Sequence, residues 1–134
     1  MENIQMDSIQ LFDFTQRKNN DHNIGRSFYF ANEPASHRYN AYFSDEIAGE
    51  AEKAGMTSFS LASNTLTGEW YVVFTKRQGL KFSISGKQKK RLIVYCKEMA
   101  DFMLSTLLLD PGRDYELSEN LCRDGSQLTY RILL

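Results

Sequence analysis

The sequence predicts an α+β fold, in which an antiparallel sheet of about six or seven strands is packed by one long helix (about 86–109) and one short helix (about 45–54). Short alternating segments rich in aromatic residues favour the strands, and apolar residues at helical spacing from Leu92 to Leu107 favour the long helix. The 134 residues, 42% hydrophobic and 25% charged, are typical of a single globular domain, residues 1–134.

The strand pattern recurs along the whole chain, with turn residues between the segments. Candidate strands cover residues 9–15, 26–31, 37–43, 58–62, 69–75, 81–85, 115–122 and 127–134. The last two flank Asp124-Gly125, a dipeptide that strongly favours a hairpin turn. No internal repeat is evident in the sequence, so the sheet and the helices are expected to form two layers of one α+β domain.

The short helix is predicted from the residues at its two ends. Ser44 is expected as the N-cap, Asp45 and Glu46 suit the positive end of the helix dipole, and Gly55 is expected to stop the helix. Its four acidic residues are Asp45, Glu46, Glu50 and Glu52. They are expected to form a solvated face, and the alternatives are that they mimic a row of phosphates or bind a basic partner.

The long helix is predicted to begin at a capping box, with Ser85 as N-cap and Gln88 at the third helical position, and to end before Pro111. Its final part, residues 102–109, is apolar almost all round, which indicates burial on more than one side. Either another element of the domain or a second copy of the chain would cover it. A homodimer through the C-terminal half of this helix is therefore one expectation.

Positive charge is concentrated in one part of the chain. Residues 70–97 include eight Lys or Arg and no Asp or Glu, so the remainder carries −9 within a net charge of −1. Seven of these cations lie between positions 75 and 92, namely Lys76, Arg77, Lys81, Lys87, Lys89, Lys90 and Arg91. Such segregation favours a local positive potential on a protein that is slightly acidic as a whole.

The predicted start of the long helix would place Lys87 and Lys89 in its first turn, where the helix dipole disfavours cations. A bound phosphate would reverse that penalty. Trp70 and Phe82, on adjoining strands, are candidate rings for stacking bases. The predicted sheet, long helix and basic SGKQKK junction loosely resemble Whirly-type single-strand binders, whose sheets hold nucleic acid beside Lys-rich motifs. The seven cations and two rings therefore predict a small binding protein, not an enzyme, for nucleic acid, preferably single-stranded, or another polyanion.

Other interpretations stay open. Turns and helix starts are exposed, so the same cations would also suit a purely solvated face. A protein-interaction or inhibitor module would act instead through an apolar or acidic surface, and the apolar residues 102–109 are its main support. An enzyme with an unrecognised site is a third interpretation, although the nucleotide and hydrolase signatures GxGxxG, GxxxxGK and GxSxG do not occur.

The sequence gives no support for a metal, a cofactor or a membrane partner. His22 and His37 lack metal-ligand spacing, and Cys96 and Cys122 are expected to be reduced thiols. The N-terminus, MENIQMDSIQ, lacks the basic and apolar regions of a signal peptide, and no apolar run approaches the roughly 20 residues of a membrane-spanning helix. A cytoplasmic location is the resulting expectation.

Overall fold

The structure is a computed structural model that describes residues 25–33, 38–87 and 89–134. Along these residues, each helix follows a pair of strands and precedes another pair. The elements are β1 (Ser27–Glu33), β2 (Arg38–Phe43), α1 (Asp45–Lys53), β3 (Ser58–Asn64), β4 (Glu69–Thr75), β5 (Leu80–Ser85), β6 (Arg91–Val94), α2 (Lys97–Thr106), β7 (Tyr115–Leu117) and β8 (Leu128–Leu133).

The eight strands of the described residues form a closed barrel. Around the ring the order is β1-β2-β6-β5-β3-β4-β8-β7, every neighbouring pair is antiparallel, and β7 pairs with β1 to close the sheet. Closure leaves no free sheet edge, and an eight-stranded barrel has an interior that side chains can fill. The predicted fold class, a sheet packed by one long helix, is therefore wrong.

The helix predicted at about 86–109 is a strand followed by a short helix. Leu92 and Val94 of β6 face the core, and this strand pairs with both β2 and β5. Gly86 has a φ of +99° in the connection before β6, where an added Cβ would lie only 2.4 Å from the Lys89 carbonyl oxygen. The spacing of apolar residues suited a helix, but the pairing of β6 with two strands decides the conformation. The predicted capping box at Ser85 fails for the same reason, since Ser85 ends β5.

Most of the other predicted elements are present. The strands predicted at 26–31, 37–43, 58–62, 69–75 and 81–85 correspond to β1 to β5. The strand predicted at 115–122 is shorter, only β7, and that at 127–134 corresponds to β8, with which β7 pairs antiparallel as the hairpin signal indicated. The short helix is present as α1. The predicted strand at 9–15 lies outside the described residues.

Aromatic side chains fill the barrel. Phe28 and Phe43 stack with 5.3 Å between ring centroids, and Phe43 also meets Phe74 edge to face at 5.3 Å. Burying a large apolar side chain contributes roughly 1.5–3 kcal/mol. The completely buried rings are Phe28, Phe30, Phe43, Phe59, Phe74 and Tyr130.

The helix α1 lies between the end of β2 and the start of β3 in the chain and packs against the barrel core. Its buried residues Ile47, Ala48 and Ala51 belong to the same core cluster as the barrel side chains. Ser44 holds the predicted N-cap position but makes no capping bond. Its hydroxyl instead donates to the Gly25 carbonyl oxygen at 2.6 Å, and this bond ties the start of α1 to the chain entering β1.

The barrel consists of two halves, residues 27–75 and 80–133, that share the order of elements ββαββ. Exchanging β1 to β4 with β5 to β8 reproduces the same ring of strands read in the opposite direction, which describes a pseudo-twofold axis. The helices agree in detail, because the buried positions Ile47, Ala48 and Ala51 of α1 match Met99, Ala100 and Met103 of α2 in spacing. This structural repeat has no counterpart in the sequence pattern, where none is evident.

Candidate functional site

The basic stretch, residues 75–92, contains seven cations that lie on or beside a single strand, β5. Lys76 and Arg77 lie in the turn before it, and Lys81 lies on its outer face, since its neighbour Phe82 packs against the core. The remaining four cations lie after β5, in its connection to β6 or at the start of β6. A strand of this length spans roughly 17–20 Å, so the structure separates the cations into two groups at the two ends of β5.

Five of these cations are exposed and form no ion pair with a described residue. Among the described residues, no carboxylate oxygen lies within 4.0 Å of their charged nitrogens. We call these five the basic surface: Lys76, Arg77, Lys81, Lys87 and Lys89. Cations elsewhere are often paired, such as Arg26 with Glu50 at 3.0 Å and Arg131 with Glu69 at 2.9 Å. The basic surface therefore keeps its charge available for an external anion.

The other two cations of the stretch are bound by the protein itself. The Lys90 ammonium pairs with the Glu52 carboxylate of α1, and the Lys90 backbone N–H donates to Asp45 Oδ1 at 2.7 Å. The Arg91 guanidinium donates to the Tyr29 hydroxyl at 2.6 Å and lies 5.6 Å from the centroid of that ring. Both cations are half-buried, so they mainly hold β6 and its preceding connection in place.

The helix terminus that was expected to help bind an anion is not present between residues 86 and 91. Lys87 and Lys89 lie in a connection between two strands and not in the first turn of a helix. The expected conflict between these lysines and a helix dipole, which had indicated a bound phosphate, disappears with the helix. Attraction of an anion to this part of the surface depends on the side-chain charges alone.

An aromatic pair lies on the outer face of strands close to β5. Tyr29 of β1 and Tyr42 of β2 are cross-strand neighbours whose rings stack, with 5.2 Å between centroids and 16° between planes. The same row of residues continues through Ile93 of β6 to Ser83 of β5. Burial raises the pKa of Tyr29 above its usual value, and the charge of Arg91 opposes that rise. Alternation with inward-facing phenylalanines was the signal in the sequence that could have identified this pair.

Trp70 and Phe82, the rings predicted to stack on bases, both pack within the molecule. Phe82 meets Phe74 edge to face at 5.6 Å between centroids, on the core side of β5. Trp70 meets Phe102 of α2 at 5.8 Å, and it lies five residues along β4 from the turn that carries Lys76. The structure therefore does not bring these two rings together with the basic surface.

Other reactive side chains form no recognisable centre in the described part of the chain. No group of three or more His, Cys, Asp or Glu residues there has the arrangement of a metal site. Cys96 and Cys122 are free thiols and partly exposed, and Cys96 packs against the core. His22 and His37 lie outside the described residues.

The chain matches no protein-family model, no curated protein and no solved structure in the comparisons with known proteins. Within the described residues, neither helix has the length and apolar character needed to span a bilayer. The long helix on which the Whirly-type resemblance depended is also not found, because β6 and α2 occupy its place.

Proposed function

We propose that this protein binds single-stranded nucleic acid, or another phosphate-bearing polymer, along the outer side of β5. The observation that supports the proposal most is the basic surface itself, five exposed cations within 14 residues that no described carboxylate neutralises. Because these cations lie at both ends of a strand roughly 17–20 Å long, one extended polynucleotide of several nucleotides would contact both groups.

A single strand suits this surface better than a duplex because rings lie on strands close to the cations. Single strands are commonly held by a basic groove and by bases that stack on aromatic side chains, each stacked base contributing about 1–3 kcal/mol. Tyr42 of the stacked pair on β2 is connected to Ser83 of β5 through the cross-strand neighbour Ile93. Bases would therefore approach the tyrosine pair while the phosphates follow the basic surface.

Paired charge removal tests this proposal. We expect the double variant Lys87→Gln with Lys89→Gln to bind a fluorescein-labelled oligothymidylate about 3- to 25-fold more weakly, since an exposed ionic contact contributes about 0.3–1 kcal/mol. Lys76→Gln with Arg77→Gln should show a similar loss. Fluorescence anisotropy at low salt would measure both, with a duplex of the same length as the second ligand.

The matched control is Lys97→Gln with Arg113→Gln, which changes the net charge equally. Lys97 pairs with Asp101 at 3.0 Å and Arg113 with Asp110 at 3.7 Å, so both lie outside the basic surface. Equal losses in the control and in the two basic-surface variants would show that only net charge matters, and the proposed site would then be abandoned. Unchanged affinity in the basic-surface variants would also rule out the proposed site.

A protein-interaction function is the second candidate, and exposed leucines favour it. Leu108, Leu133 and Leu134 are 82%, 37% and 72% exposed and help to line a cavity of about 510 Å³. The acidic form of this proposal has less support, because Glu50 and Glu52 of α1 pair with cations of the same chain. Sedimentation velocity over a wide concentration range would test self-association, and a constant monomer mass would count against a homodimer.

A further inference from the structure

A depression that is open to solvent lies at one end of the basic surface, where Lys76 and Arg77 help to line it. It lies between the turn that joins β4 to β5 and the loop that leads into β8, and its volume is about 300 Å³. Such a volume is at the lower end of the range for small-molecule sites, roughly 300–1,000 Å³, and suits one nucleotide or a phosphate group. Its described lining residues are Thr75, Lys76, Arg77, Gln78, Ser126 and Gln127.

The wall formed by the turn is held in a defined conformation. The Thr75 hydroxyl donates to the Gln78 carbonyl oxygen at 2.6 Å and accepts from the Gln78 N–H at 3.1 Å. The Thr57 hydroxyl donates to the Lys76 carbonyl oxygen at 2.8 Å, which ties the turn to the residue before β3. Gly79 has a φ of +111°, and an added Cβ would lie 2.1 Å from the Phe59 carbonyl oxygen. The cations of the turn therefore project from a backbone that needs little further ordering to bind a ligand.

The lining is rich in hydrogen-bond donors and includes no carboxylate among its described residues. Lys76 and Arg77 supply two positive charges, and Arg77 can form two parallel bonds with a phosphate. Gln127 directs its side-chain N–H₂ towards the Thr129 hydroxyl at 3.2 Å, which leaves one amide hydrogen for a ligand. Two cations with additional neutral donors match a phosphate monoester, which carries about −1.5 to −2 at pH 7.

One carboxylate lies close to this site and has to be considered. Asp124 precedes the lining residues, and its Oδ1 accepts from the Ser126 N–H at 2.9 Å and from the Cys122 thiol at 3.1 Å. These hydrogen bonds lower the pKa of Asp124 to about 2, so it is ionised at neutral pH. The hydrogen bonds that Asp124 accepts partly offset its charge. Asp124 does not line the site, but its remaining negative charge weakens the attraction of the site for anions.

We propose that this depression binds the terminal phosphate of the nucleic-acid strand, an inference that rests on the proposed function. A terminal phosphate monoester is a pendant group with nearly two charges, whereas an internal phosphodiester has one charge and a sugar on each side. The monoester therefore enters a concave site lined by two cations more easily than a diester does. From there the strand extends past Lys81 towards Lys87 and Lys89 at the far end of β5.

Three oligonucleotides of one sequence test the inference: one with a 5′-phosphate, one with a 3′-phosphate and one with hydroxyl groups at both ends. Competition against a labelled oligothymidylate should show one phosphorylated form binding about tenfold more tightly than the unphosphorylated strand, because two or more charge-assisted bonds are gained. Arg77→Gln should remove this preference. Lys89→Gln, the matched control on the other end of β5, should weaken the three strands by the same factor and keep the preference.

The outcomes separate the two proposals. Equal affinity of the wild-type protein for all three strands would overturn the terminal-phosphate site and leave the proposed function standing. Failure of every strand to bind would overturn both. A phosphate preference that survives in Arg77→Gln and in Lys76→Gln would also overturn the site, because the preference would then arise elsewhere on the protein.

Discussion

Leu108 has an unusual backbone conformation for a residue with a side chain. It is the second residue after α2 and has a φ of +56°, in the left-handed region that favours glycine. The equivalent residue after α1 is Gly55, with a φ of +74°. Both helices end with the same motif, in which the Leu109 N–H donates to the Leu104 carbonyl oxygen and the Met56 N–H to that of Ala51. The two halves of the barrel therefore share a helix ending but differ in its key residue.

We expect Leu108→Gly to raise the free energy of unfolding by about 0.5–1 kcal/mol. Glycine removes the cost of the left-handed conformation, about 1 kcal/mol, and the leucine side chain is 82% exposed and gains little from burial. Urea unfolding followed by circular dichroism would measure the change. Gly55→Ala is the control and should lower stability by a similar amount. A less stable Leu108→Gly protein would show that this leucine has a packing role.

Single residues also show what could be predicted of the site. The turn that carries Lys76 and Arg77 was readable from the sequence because Gly79 marks it, whereas Lys87 and Lys89 were wrongly assigned to the start of a helix. The pairing of Lys90 with Glu52 was not, since it joins residues 38 apart in the chain and depends on where α1 packs against the barrel. Sequence therefore identified the cations, and only the fold distinguished those that are neutralised.

At the scale of elements, a hydrogen-bonded network attaches α1 to the barrel. The buried Tyr130 of β8 donates its hydroxyl to Glu50 Oε1 at 2.5 Å, and Arg26 Nη2 lies 3.0 Å from the other Glu50 oxygen. Burial raises the pKa of Tyr130 well above its usual value, and the hydrogen bond to the Glu50 carboxylate raises it further. The neutral phenol is therefore the form that the fold stabilises.

We expect Tyr130→Phe to lower the free energy of unfolding by about 1–2 kcal/mol, because a hydrogen bond to a charged acceptor is lost. Tyr71→Phe is the control: its hydroxyl also donates to a carboxylate, Glu69, at 2.6 Å, but on the outer face of β4, where the change should stay within about 0.5 kcal/mol. Equal effects in the two variants would contradict the role of this network in holding α1.

The same network makes a prediction about pH. The pKa of Tyr130 in the folded state is raised above the value of 10.0 expected in the unfolded chain, so its stabilising effect is fully present below pH 10. As the pH rises above 10, the unfolded state loses the phenolic proton first, and stability falls. Urea unfolding at pH 9 and at pH 11 should therefore show a larger loss in the wild type than in Tyr130→Phe.

Elements were predictable from sequence to different degrees. β4 has its predicted limits because the alternation of large residues and the positions of the flanking turns indicate the same ends for the strand. The segment 91–94 was assigned to a helix because its apolar residues fit both the helical period and the strand period. A run of four residues is too short for periodicity to distinguish a helix from a strand. Its β-branched Ile93 and Val94 favoured a strand, and pairing with β2 and β5 determined the outcome.

At the scale of the whole molecule, the pseudo-twofold arrangement explains why the sheet closes. β2 pairs with β6 and β4 pairs with β8, so each half contributes two strands to the joins that cross the axis. β1 with β7 and β5 with β3 complete the remaining joins. None of these pairings joins strands that are consecutive in the chain, and local sequence patterns carry little information about such contacts. Closure was therefore not predictable from the individual elements.

The two halves also differ on their outer faces. The second half carries Lys81, Lys87 and Lys89 of the basic surface, and the other two cations lie in the turn between the halves. The first half carries the stacked rings of Tyr29 and Tyr42 on β1 and β2. Because β2 and β6 are neighbours, these two faces adjoin across the axis. Cations and rings thus reach one continuous surface from different halves of the chain, which is the arrangement that the proposed function uses.

The salt dependence of binding to a single-stranded oligonucleotide tests the central claim most directly. Each cation that neutralises one phosphate releases counterions, and this changes the slope of log association constant against log salt concentration by about −0.7 for a single strand. Five such contacts should therefore give a slope of about −3 to −4. The variant lacking the charges of Lys76, Arg77, Lys87 and Lys89 should have a slope close to −1. A wild-type protein that does not bind at low salt, or whose affinity is independent of salt, would contradict the account.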